Sequence, residues 1–130
     1  MDADVYPLDD PAKADLIDGC IGELSPFHKT FGYYAHGIGP ETAVLPRNWK
    51  DRLVRIESPN TAGTIGWCLS PLDLAVSKLL AGREKDTAFV RAMLEARLIA
   101  ERDFTAAIQE LTPDQAALMR GRLAACLNEP

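Results

Sequence analysis

Two sets of residues in this sequence have the types and spacing for chemistry. Asp2 and Asp4 stand at i and i+2 in Asp-Ala-Asp-Val-Tyr-Pro, where Ala3 and Val5 alternate with the acids as in a strand. A strand projects i and i+2 from one face, so the two carboxylates sit side by side and repel unless a cation lies between them. The pair is therefore a candidate ligand set for a hard divalent metal, and a solvated strand face is the competing reading. The second set is cationic. Lys78, Arg83, Lys85 and Arg91 gather where one predicted helix gives way to the next, an arrangement that suits an anion, phosphate first. With Glu84 and Asp86 as local counter-charges, the same residues also read as a solvated face.

The element that must position the cations starts at Ser70. Its hydroxyl can cap, Pro71 suits the first helical position, and Asp73 completes a Ser-x-x-Asp capping box. Leu72, Ala75, Val76, Leu79 and Leu80 follow the spacing of one buried stripe, which leaves Lys78 on another side. Gly82 loosens the helix. Asp86 with Thr87 then reads as a second N-cap, opening a helix whose core face is Phe89, Val90, Met93 and Leu94. A final start at Thr112-Pro113, with Gln115 completing a box, opens a helix with Met119, Leu123, Cys126 and Leu127 on its apolar face.

Before Ser70 the pattern has mostly period two. Strands are expected near 2–7, 31–36, 42–45, 53–57 and 64–69, with one helix at 12–24 whose Leu16, Ile17, Cys20, Ile21 and Leu24 cover the sheet, and a short turn of helix at 49–52. The expected fold is α+β: a small mixed β-sheet packed by helices, followed by a helical C-terminal segment. The organisation expected is a single domain over 1–130, with 1–69 mostly sheet and 70–130 helical. His28 and His36 fall in the aromatic and glycine-rich stretch 25–46. With no third ligand at metal spacing and no evident nucleophile beside them, each reads as structural.

Composition narrows the function classes. A net charge of -5 argues against a protein that coats nucleic acid through a general positive field. Cys20, Cys68 and Cys126 are odd in number and widely spaced, which suggests neither a disulfide framework nor a zinc site and fits a reducing cytoplasm. No apolar run approaches a membrane span, and the acidic start is unlike a signal peptide.

The run from Asp2 to Arg91 resembles an uncharacterised bacterial family of the DNA-polymerase-beta-like nucleotidyltransferase superfamily, the branch that includes abortive-infection toxins. The resemblance is carried by Asp-Ala-Asp-Val-Tyr-Pro at 2–7, Ala-Asp-Leu-Ile-Asp-Gly at 14–19, Ser-Pro-Phe-His at 25–28, Phe-Gly-Tyr-Tyr at 31–34, Gly-Pro-Glu-Thr-Ala-Val-Leu-Pro at 39–46, Gly-Trp-Cys-Leu at 66–69, and Asp-Leu-Ala-Val-Ser-Lys with Ala-Gly-Arg-Glu-Lys-Asp within 73–86. It implies that Asp2 and Asp4 hold magnesium and that Lys78, Arg83 and Lys85 hold phosphate oxygens of a nucleoside triphosphate. The superfamily's Gly-Ser turn and the strand before the Asp-x-Asp strand have no counterpart here, and Glu57 is the nearest candidate for its third carboxylate. The function expected is a nucleotidyltransferase-like protein with a remnant magnesium-nucleotide site, not autonomously catalytic as the chain stands. The alternative is a non-catalytic interaction module or toxin-antitoxin type component. An unpaired edge on the first strand leads to the expectation of a homodimer.

Overall fold

The computed structural model of the chain describes residues 2–39 and 44–128. The fold is α+β, with four strands in two small sheets and six α-helices among the described residues, the helices dominating the C-terminal segment. The chain divides into two compact units, Met1–Val44 and Leu45–Pro130.

The first unit is a strand, helix, helix, strand arrangement. β1 (Asp2–Val5) pairs in parallel with β2 (Tyr34–Gly37), in the register Asp2 to Tyr34 and Asp4 to His36, and the Ile38 amide extends the ladder by donating to the Val5 carbonyl at 2.9 Å. α1 (Lys13–Ile21) packs on β2, so closely that a Cβ at Gly37 would overlap the Ala14 carbonyl. α1 is shorter than the expected 12–24. The chain turns extended at Gly22, and Leu24 takes a left-handed conformation before α2 (Pro26–Phe31) begins. α2 corrects the strand expected over 31–36. Ser25 caps it by accepting from the His28 amide at 3.2 Å, Pro26 occupies the first turn, and Gly32, left-handed, ends it, so the strand starts only at Tyr34. α1 does not bury its apolar stripe: Ile17 and Ile21 are half-buried while Leu16 is 61% exposed. Of the strand expected at 42–45, residues 42 and 43 lie outside the described residues, and Val44 and Leu45 have no regular structure.

In the second unit a 3-10 turn at Trp49–Arg52 leads into β3 (Val54–Ile56), which pairs antiparallel with β4 (Gly66–Cys68). The strands expected to form one sheet thus fall into two separate pairs. Then come α3 (Pro71–Ala81), α4 (Glu84–Glu95), α5 (Asp103–Ala107) and α6 (Pro113–Asn128). The core is theirs: Ala75, Val76 and Leu79 of α3, Val90 and Met93 of α4, Phe104 of α5, and Met119, Leu123 and Cys126 of α6 form one cluster. The capping box opening α6 is present, with Gln115 N–H to Thr112 Oγ1 at 3.2 Å and Thr112 N–H to Gln115 Oε1 at 3.1 Å. Phe89, expected in the core, is 45% exposed, and Leu127 is exposed too.

The end of α3 is held from a distance. Gly82 adopts φ +70°, and the Arg122 guanidinium of α6 lies where a Cβ would stand, donating to the Leu79 and Leu80 carbonyls at 2.8 and 2.6 Å. A cation there satisfies carbonyls that have no intrahelical partner and meets the negative end of the helix dipole. Among the described residues no helix is long and apolar enough to cross a membrane.

Candidate functional site

The parallel pair fixes where Asp2 and Asp4 point. Gly37 faces α1 and Ala35 is buried, so strand alternation puts Tyr34 and His36 on the other face of β2, which is open at His36 and partly covered by α2 at Tyr34. Directly paired residues on neighbouring strands share a face, and Asp2 and Asp4 therefore lie on that face beside Tyr34 and His36. Both acids are exposed, and neither carboxylate has a hydrogen-bond or ion-pair partner among the described residues. The Tyr34 phenol is held above its ordinary value, first by partial desolvation and then by the carboxylates of Glu23, Asp2 and Asp4. Its ring also packs against His28, centroid to centroid 4.6 Å.

The two histidines have defined jobs. His28 Nδ1 accepts from the Leu24 amide at 2.9 Å and so holds the turn before α2. His36 Nδ1 lies 3.2 Å from Asp18 Oδ1, an oxygen that also accepts from the Gly37 amide at 2.8 Å. Asp18 thus ties α1 to the edge of β2 and orients the imidazole. Tyr34 and His36 were missed as site residues by sequence reasoning. Their own i, i+2 spacing, the same as that of the two acids, was the signal available. Among the described residues no group of three or more His, Cys, Asp or Glu side chains is placed to hold a metal, and Glu57, the candidate third carboxylate, is ion-paired to Arg55 at 2.6 Å in the second unit.

The cations of the second unit are largely committed within it. Asp86 is not the N-cap expected; Arg83 is, and Asp86 stands three residues on as its partner, almost fully buried. Its carboxylate accepts from the Arg83 guanidinium at 2.7 and 3.2 Å and from the Arg83 amide at 3.2 Å, and Lys78 Nζ lies 3.8 Å away. Burial alone would push the Asp86 carboxyl up, but these hydrogen bonds and charges outweigh it and hold the group below its ordinary value. Lys78 also lies 4.8 Å from the centre of the Phe89 ring, a cation–π contact at the surface. The Arg91 guanidinium donates to the Cys126 carbonyl at 3.3 Å. Lys85 is exposed.

A second buried carboxylate sits one helix earlier. Ser70 Oγ accepts from the Asp73 amide at 3.1 Å, the expected cap, but the Asp73 carboxylate does not return to the Ser70 amide as a full box requires. It accepts instead from Ser70 Oγ at 2.8 Å and from both arms of the Arg52 guanidinium at 2.9 and 3.0 Å. The hydrogen bond to Asp73 raises the Arg52 pKa, against partial desolvation.

Against known families, the model described as "Nucleotidyltransferase of unknown function (DUF6036)" matches residues 2–119. The chain belongs to this family. No curated protein and no solved structure matches it. The match takes in β1 with its two acids, the Tyr34 and His36 strand, and both buried Asp–Arg pairs of this nucleotidyltransferase-like chain.

Proposed function

We propose that this nucleotidyltransferase-like protein binds a magnesium-complexed nucleoside triphosphate, with Asp2 and Asp4 as the metal carboxylates. The observation that carries the reading is their placement: two adjacent carboxylates on the open face of a parallel strand pair, unpartnered among the described residues. Magnesium is commonly held by one or two carboxylates with substrate phosphates and water filling the other positions, so a pair without a third protein ligand fits. Asp2 and Asp4 would hold the ion, whose charge would offset that of the phosphates. Tyr34, whose phenol stays protonated, can donate a hydrogen bond across the same face. Lys85, with Lys78 and Arg83 nearby in sequence, is proposed as an anion contact of the second unit, and each place is tested by itself.

Calorimetry with magnesium-ATP tests the reading. The intact protein is expected to give a magnesium-dependent heat that Asp2→Ala or Asp4→Ala abolishes, and Lys85→Ala is expected to reduce the heat that ATP gives without magnesium. Silence from the intact protein, or equal heat from Asp4→Ala, overturns it. A second reading, a module acting through protein contacts and pairing as a homodimer, is favoured by the exposed Leu24 and Phe31 and by the aromatic group Phe27, Phe31 and Tyr33 at the surface of the first unit. A monomer by light scattering at high micromolar concentration removes the homodimer.

A further inference from the structure

Away from both places, α5 and α6 line an open groove of about 600 Å³. Its lining is mixed: Ala100 and Ile108 are partly exposed apolar walls, set over Phe104, Met119 and Leu123 of the buried cluster that holds the helices together. Arg102, just ahead of α5, and Arg120, on the outer side of α6, line the same groove, and both are exposed. Neither guanidinium has a hydrogen-bond or ion-pair partner among the described residues, in contrast to Arg52 and Arg83. Glu101 is the one carboxylate lining the groove, so two cations face one anion in a chain whose net charge is -5. The neighbouring depression adds Arg97, while the carboxylate of Asp103 there is engaged in capping, accepting from the Ala100 amide at 2.8 Å.

We propose that this groove binds a small organic anion with an apolar body, an aryl or acyl phosphate or carboxylate free in solution. The volume lies within the range of small-molecule sites, roughly 300–1,000 Å³. Ala100 and Ile108 offer dispersion contact and no side-chain hydrogen bonds, which suits an apolar body beside the charged head. The guanidiniums offer paired N–H donors in the planar geometry that phosphate and carboxylate oxygens match. A nucleic acid strand, by contrast, would meet a chain of net negative charge beyond these few arginines. The inference stands apart from the magnesium-nucleotide reading and uses none of its residues.

The probe is 1-naphthyl phosphate, followed by calorimetry and by its own fluorescence, with inorganic phosphate and 1-naphthol as the head alone and the body alone. One equivalent of 1-naphthyl phosphate is expected to bind, at least about tenfold more tightly than either part, since a charged hydrogen bond and apolar contact each contribute on that scale. Arg102→Ala with Arg120→Ala should weaken it about tenfold or more, and Thr105→Trp, which fills the groove from an exposed position with both arginines intact, should abolish it. Asp4→Ala should leave it unchanged. No binding at millimolar probe, equal binding of 1-naphthol, or affinity unaltered in both groove variants overturns the proposal. So does a change from dimer to monomer in Thr105→Trp, which would make a second copy the occupant.

Discussion

Asp2 and Asp4 in the first unit and Asp73 and Asp86 in the second are the same side chain under opposite conditions. The first two lie on an open strand face, exposed and unpartnered among the described residues. The other two are about 2% and 1% exposed, and each is gripped by an arginine through two nitrogens. Their helices differ in the same sense: Leu16 of α1 is 61% exposed and Leu79 of α3 is 1% exposed. A buried carboxylate without a cation costs several kcal/mol, on the order of 3–5, so in the helical unit each is tied to an arginine that reaches it from the surface, whereas an exposed carboxylate makes no such demand and stays available to a ligand. The availability of a charge therefore follows from where its nearest opposite is buried, and counting charges along a helix does not reveal it.

The largest effect that could break this comparison lies in the cores. Leu79→Ala should cost about 2–5 kcal/mol by the contacts and cavity it loses, and Leu16→Ala no more than about 0.5 kcal/mol. Urea denaturation of both variants gives the two numbers, and equal losses would mean that the first unit buries its helix after all. Arg52→Ala comes next. It leaves the Asp73 carboxylate buried with only Ser70, and the expected loss is about 3 kcal/mol, the low end for a broken buried pair because Arg52 itself stays one-third exposed. Lysine at position 52 should recover only part of this, since it cannot make the two-armed contact.

Acid tests the grip of Arg83 on Asp86. The folded Asp86 titrates below its unfolded value, so its contribution to stability is complete above the unfolded value near pH 4 and declines as the pH falls through the lower, folded one. Melting temperatures followed by circular dichroism should drop below about pH 4, and Asp86→Asn should flatten that slope while lowering the plateau. A slope unchanged in the variant would place the acid sensitivity elsewhere. The smallest effect concerns the open face. Asp4→Ala should alter stability by no more than about 0.5 kcal/mol and lower the Tyr34 phenol pKa slightly, because it removes one of the carboxylates that raise it. Alkaline ultraviolet titration reads the phenol, and a shift upward would remove Asp4 from that face.

Where local rules act alone, the sequence was readable. Ser70-Pro71, the α3 stripe and the Thr112 to Gln115 box follow from spacing and stand in the structure. Ser25-Pro26 carries the same start signal as Ser70-Pro71, yet the aromatic residues after it have strand preference, which masks α2 in the sequence. Strand segments were visible while their partners were not, since pairing joins residues far apart in the chain. The Asp-x-Asp pair was legible as a pattern, and its open face became apparent only through the close approach of Gly37 to α1. The Arg52 grip on Asp73 spans β3 and β4 and left no trace in spacing.

Arg122 lies three positions past residue 119, where the family match ends. A chain cut at that border would keep every residue the family describes and still strip the last turn of α3 of its carbonyl partner, while removing Leu123 and Cys126 from the cluster they help to close. For this protein the border of kinship and the border of a self-sufficient folding unit are different places. Position 82 is constrained accordingly, because any side chain larger than hydrogen there would evict the guanidinium that α6 delivers.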